Sequence, residues 1–175
     1  LINGKNGFRF DGAPAFAYSG FSVASAGDVN GDGFVDLIVG AYGADPHGGF
    51  SGSSYVVFGK ASGFAAAIDL SSLDGNNGFR LDGVAASDFS GFSIASAGDV
   101  NGDGFADLII GAHRADPHGN VSGSSYVVFG KASGFAAAID LSSLNGKNGF
   151  RLDGVAAFDY SGFSVASAGD VNGDG

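Results

Sequence analysis

The chain returns again and again to the same short apolar runs, separated by clusters of Asn, Asp, Ser and Gly. Four runs make up one unit: residues 20–28 (GFSVASAGD), 36–41 (DLIVGA), 53–59 (SSYVVFG) and 78–83 (GFRLDG). Val, Ile, Tyr and Phe suit a pleated, half-buried surface, and the clusters between the runs carry turn chemistry, so each run predicts a β-strand. LIV and YVVF are continuous rather than alternating, the pattern of strands covered on both faces. The first run interleaves Ala, Ser and Gly, which fits a crowded position. Residues 61–73 (ASGFAAAIDLSSL) are expected to hold a helical turn.

The unit repeats. GFSVASAGDVNGDG begins at Gly20, GFSIASAGDVNGDG at Gly91 and GFSVASAGDVNGDG again at Gly162, a period of 71 residues in a chain of 175. Aligning 34–104 with 105–175 leaves 60 of 71 positions identical. Four-stranded sheets sandwiched between their neighbours are the blades of a propeller. A β-solenoid is the rival, but its repeats are usually much shorter. The expected fold is therefore all-β, made of four-stranded antiparallel β-propeller blades in one uninterrupted array. Residues 1–12 would form the outer strand of a preceding blade, 20–83 and 91–154 two complete blades, and 162–175 the inner strand of a following one. A closed ring needs four to eight blades. The expectation is thus a fragment of a longer array, in which seven units would need roughly 500 residues.

Repetition explains a composition that would otherwise suggest a low-complexity coil: 33 Gly, no Cys, Met or Trp, and all 18 acidic residues Asp. With 45% hydrophobic residues there is enough apolar material for a core. Glycine has no three-residue period, which excludes collagen. No apolar run approaches the length of a membrane span. A net charge of −10 repels phosphate backbones and excludes nucleic acid as a natural partner, whereas it suits cations. Without Cys there is neither a disulfide framework nor a thiolate metal site.

The charge gathers in one motif, DVNGDGFVD at 28–36 and DVNGDGFAD at 99–107. Side-chain oxygens fall at loop positions 1, 3, 5 and 9: Asp28, Asn30, Asp32 and Asp36, then Asp99, Asn101, Asp103 and Asp107. Phe34 and Phe105 can offer a backbone carbonyl at position 7, and Gly33 permits the sharp turn. Such spacing aims hard oxygens at one centre, as Ca²⁺ requires, while Mg²⁺ prefers smaller sites that keep their waters. The motif is not an EF-hand, whose position-12 Glu is replaced here by Val39 and Ile110. The alternative is a metal-free Asp/Asn/Gly hairpin turn. Three carboxylates in one turn, present twice in register, favour the metal. A third copy, Asp170, Asn172 and Asp174, stops before positions 7 and 9 and is expected to be weak or empty.

The stretches GFSVASAGDVNGDGFVDLIVGA (20–41) and GFSIASAGDVNGDGFADLIIGA (91–112) resemble the FG-GAP repeats of integrin α-subunit propellers and their bacterial relatives. The FG element stands as Phe21-Ser22 and Phe92-Ser93, and the GAP element as Gly40-Ala41-Tyr42 and Gly111-Ala112-His113, each departing at one position. The resemblance implies a propeller, usually of seven blades, with Ca²⁺ between the first and second strands on the lower face and ligands on the opposite face. The 71-residue period is longer than is usual in integrins, with the extra material in 60–77, so a bacterial-type surface protein is expected and integrin heterodimer chemistry is not carried over.

Other residues read more plainly. His47 and His118 sit in ADPHG with no nucleophile or second His beside them, and fit surface turns better than catalysis. Arg80 and Asp82 in FRLDG are expected to pair structurally, and Asn120-Val121-Ser122 is a formal glycosylation sequon given no weight. Differences between the repeats gather in two loops on the face opposite the metal motif: Tyr42/His113, Gly43/Arg114, Gly49/Asn120 and Phe50/Val121 in one, Ser87/Phe158 and Phe89/Tyr160 in the other. The expected function is a calcium-stabilised, non-enzymatic module of a cell-surface, secreted or periplasmic protein. It would bind a protein or glycan ligand on that face in adhesion or recognition. The alternative is a structural element of an extracellular filament, self-associating through its incomplete blades.

Overall fold

The structure is a computed structural model that describes residues 1–12, 14–132 and 134–169. Eleven strands and two single 3-10 turns make up the regular structure among these residues. Strands β2 (Ser22–Gly27), β3 (Asp36–Ala41), β4 (Ser53–Val57) and β6 (Gly78–Asp82) form an antiparallel sheet in chain order. The next repeat builds the same sheet from β7 (Ser93–Gly98), β8 (Asp107–Ala112), β9 (Ser124–Val128) and β11 (Gly149–Asp153). These are the two blades anticipated from the four apolar runs of each repeat.

Both faces of the first sheet are covered, which accounts for its continuous apolar runs. Ile38 and Val56 point into a core shared with Ile94, Leu108 and Ile110 of the second sheet. Their neighbours Val39, Tyr55 and Val57 point the other way, into a second core with Leu70 and Leu73. Alternation along each strand thus feeds two cores rather than one core and solvent. The sheets approach closely at their inner strands. A Cβ on Gly40 would lie 2.1 Å from the Gly91 carbonyl oxygen, so no larger residue fits there.

The segment 61–73 does more than form a helical turn. A short strand comes first, β5 (Ala67–Asp69), and then a 3-10 turn at Leu70–Ser72 capped by Asp69, whose Oδ1 accepts from the Ser71 N–H at 2.8 Å. β5 pairs in parallel with β1 (Arg9–Asp11), and its equivalent β10 (Ala138–Asp140) pairs in parallel with β6. β10 thus adds a fifth strand to the sheet of the first blade, and β5 makes the same pairing with β1 in a two-stranded sheet. Phe135, just upstream of β10, stacks on Phe79 of the first blade with ring centroids 4.2 Å apart.

Candidate functional site

The antiparallel order places 28–36 and 99–107 at one end of the blades. It places 42–52 and 83–92, with their equivalents, at the other. In the first loop the Asp28 carboxylate accepts from the Asp32 N–H (3.1 Å) and the Gly33 N–H (2.9 Å). Asn30 Oδ1 also accepts from Asp32 N–H (3.1 Å), and its amide donates to Asp32 Oδ2 (2.9 Å). Asp32 Oδ1 accepts from the Phe34 N–H at 2.9 Å. The second loop repeats these bonds through Asp99, Asn101, Asp103 and the Phe105 N–H. Positions 1, 3 and 5 are thus linked by hydrogen bonds inside one turn.

Position 9 behaves differently. Asp36 is fully buried, and its two oxygens accept from the Val29 N–H (2.9 Å) and from the Gly59 N–H (2.8 Å) across the sheet. Asp107 does the same with Val100 and Gly130, both at 2.8 Å. Burial pushes the Asp36 carboxyl up to about 6 against the pull of those two N–H groups, and the nearby Asp32 and Asp28 add to the rise. Burial raises Asp107 in the same way. No three His or Asp side chains among the described residues converge as a group that could hold a metal ion. Asp170, Asn172 and Asp174 of the third copy lie outside the described residues.

At the other end, the two loops that vary between repeats lie against each other. Ser87 N–H donates to the Gly49 carbonyl (2.8 Å) and Phe89 N–H to the Phe50 carbonyl (3.0 Å), and Phe158 N–H reaches Asn120 in the second blade (2.9 Å). Every described non-glycine residue with positive φ lies in these loops: Phe16, Tyr18, Phe50, Ser87, Phe89, Val121, Phe158 and Tyr160. Bulky residues rarely adopt that conformation. His113, which takes the place of Tyr42, is buried with its ring 4.3 Å from Phe92 and 5.1 Å from Phe163.

The ADPHG residues are structural. Asp45 accepts from the Phe50 N–H at 2.7 Å and so closes its own loop. His47 Nδ1 donates to the Gly83 carbonyl at 2.7 Å, and its Nε2 lies 3.4 Å from Asp140 of the next repeat. Arg80 pairs with Asp82 at 2.6 Å, and Ser53 also donates to that carboxylate, as expected of a structural pair. Asp36 as a backbone acceptor and Asp140 as a partner of His47 were not anticipated. Gly59 lies 23 residues from Asp36, and Asp140 lies 93 residues from His47, beyond any local signal.

The FG-GAP repeat family model matches residues 19–57 and 90–128. The chain is similar to integrin alpha-V of Gallus gallus, with 33% identity over 78% of this chain and 13% of that protein. It is 41% identical to integrin alpha-3 of Mus musculus over 58% of this chain and 9% of that protein. It is 37% identical to a phosphatidylinositol-glycan-specific phospholipase D of Rattus norvegicus over 68% of this chain and 14% of that protein. The chain therefore spans only a small part of the length of these relatives. The chain therefore carries two FG-GAP repeats, at 19–57 and 90–128, each with an Asp-rich loop after the first strand of its blade, and is similar there to integrin α chains.

Proposed function

We propose that the chain is a calcium-stabilised propeller segment of a cell-surface or secreted protein, acting in adhesion or recognition by binding rather than catalysis. In this reading 20–83 and 91–154 are whole blades, with 1–12 and 162–175 belonging to their neighbours. The observation that carries it is the repeated loop in which two Asp and one Asn turn hard oxygens into one turn beside a buried Asp. This donor set suits a hard dication. Asp28, Asn30, Asp32 and Asp36 would hold Ca²⁺ in the first loop and Asp99, Asn101, Asp103 and Asp107 in the second, with the Phe34 and Phe105 carbonyls. The ion would supply positive charge where burial alone disfavours the ionised Asp36. Asp170, Asn172 and Asp174 would supply positions 1, 3 and 5 of a third such loop. Resting cytosol supplies too little free Ca²⁺ for most such loops, which supports an extracellular or periplasmic place.

The opposite face is proposed for a protein or glycan ligand. Its support is the coincidence of sequence variation with strained backbone, which tends to gather where binding occurs. The integrin relatives are consistent with adhesion. Thermal unfolding tests the metal. At a Ca²⁺ concentration about 100 times the dissociation constant, each filled loop adds about 2.7 kcal/mol. That raises the melting midpoint by ~5–10 °C in a chain of this size. A midpoint indifferent to both Ca²⁺ and EDTA counts against structural calcium. Probing an array of glycans and matrix proteins tests recognition: binding that survives replacement of 42–50, 87–89 and their equivalents moves the ligand off this face.

A further inference from the structure

We infer that the two Asp-rich loops are thermodynamically coupled: the loop at 99–107 forms part of the wall of the loop at 28–36, so a cation in either loop tightens binding in the other. This rests on the calcium reading above and extends it from two separate sites to one linked pair. Three contacts carry it. The Phe105 ring lies on Gly31, where a Cβ would sit 2.3 Å from its Cε1 atom. The Ala106 N–H donates to the Asp28 carbonyl at 3.0 Å. The Lys131 N–H donates to the Val29 carbonyl at 2.9 Å, while the preceding residue, Gly130, donates its N–H to the Asp107 carboxylate at 2.8 Å.

Each contact ties a part of the second donor set to the backbone of the first. Phe105 supplies a position-7 carbonyl, and its N–H is held by Asp103 at 3.0 Å. Asp107, at position 9, fixes Gly130 and through it Lys131. Ordering the second loop around an ion therefore holds Phe105, Ala106 and Lys131 in the places where they touch Asp28, Val29 and Gly31. Conformational freedom lost once is not lost again when the first loop fills, which is the physical content of a coupling free energy. Linkage makes it reciprocal.

The test is calcium titration of the full chain by calorimetry, with amide NMR shifts of Gly33 and Gly104 reporting each loop separately. Disabling the second loop with Asp99→Asn and Asp103→Asn is expected to weaken Ca²⁺ binding at the first by about fivefold or more. Disabling the first with Asp28→Asn and Asp32→Asn weakens the second by the same factor. Phe105→Ala keeps every oxygen donor and removes one of the three contacts, so it lowers that factor. It carries the test alone should a double variant unfold, through loss of cooperativity in the two-site isotherm. Loop affinities that do not change when the other loop is disabled, or an isotherm of unchanged shape in Phe105→Ala, overturn the coupling and leave the calcium reading standing. A chain that binds no Ca²⁺ at either loop overturns the calcium reading itself.

Discussion

The loops at 28–36 and 99–107 differ in sequence only at Val35 against Ala106, yet they sit in different surroundings. Val29 is 1% exposed, in the core shared by the two blades, while its counterpart Val100 is 50% exposed. Phe105 lies half-buried across the first loop, whereas Phe34 is 41% exposed. The first loop has a following blade against it, and the second has none among the described residues. Part of what surrounds the first loop therefore comes from the next repeat. Near-identical repeats can then differ in stability and affinity with no change in their own residues, as expected of a stacked array in which neighbour terms matter as much as the unit.

The sharpest way to break this comparison is at position 9. Asp36→Ala leaves the Val29 and Gly59 N–H groups without their acceptor in a dry interior, and is expected to destabilise by about 2–4 kcal/mol in denaturant unfolding. Asp107→Ala is expected to cost less, about 1–2 kcal/mol, because water reaches the Val100 side. Equal losses would mean that the neighbouring blade adds nothing. Next comes the apolar contact itself. Val29→Ala should cost about 2 kcal/mol through lost burial and a cavity, and Val100→Ala less than about 0.5 kcal/mol.

The smallest effect concerns pH at another pair of equivalent positions, Tyr42 and His113. Burial holds the His113 imidazole below its ordinary value of 6.5, and Arg114 beside it acts in the same direction. The unfolded chain therefore takes up the proton first. Stability from the neutral ring is complete above pH 6.5 and is lost as the pH falls through the folded value. His113→Tyr, which restores the residue of the first repeat, should flatten the melting midpoint over that acidic range. An unchanged pH profile would show that His113 is not a source of the slope.

The antiparallel strands were legible because their partners are adjacent in sequence and their apolar runs are long enough to carry a period. The meeting of Asp28, Asn30 and Asp32 was legible for the same reason, since the turn that gathers them is local. Pairing between repeats was not legible. Ala67–Asp69 and Ala138–Asp140 are three residues each, too short for a pattern, and the strands they join lie in the preceding unit. Asp36 was expected to be a simple donor to a cation. Its engagement with Gly59 depends on how β3 and β4 register, which no spacing within 28–36 encodes.

The borrowed strand has a consequence for synthesis. Arg80 on the rim of the first blade waits for Ala138, 58 residues later in the chain. At about 5–20 residues per second, a ribosome leaves that sheet edge open for roughly 3–12 s. During that interval the nascent blade offers its unpaired rim to whatever stands nearby, including the identical rim of a chain on the next ribosome of the same message.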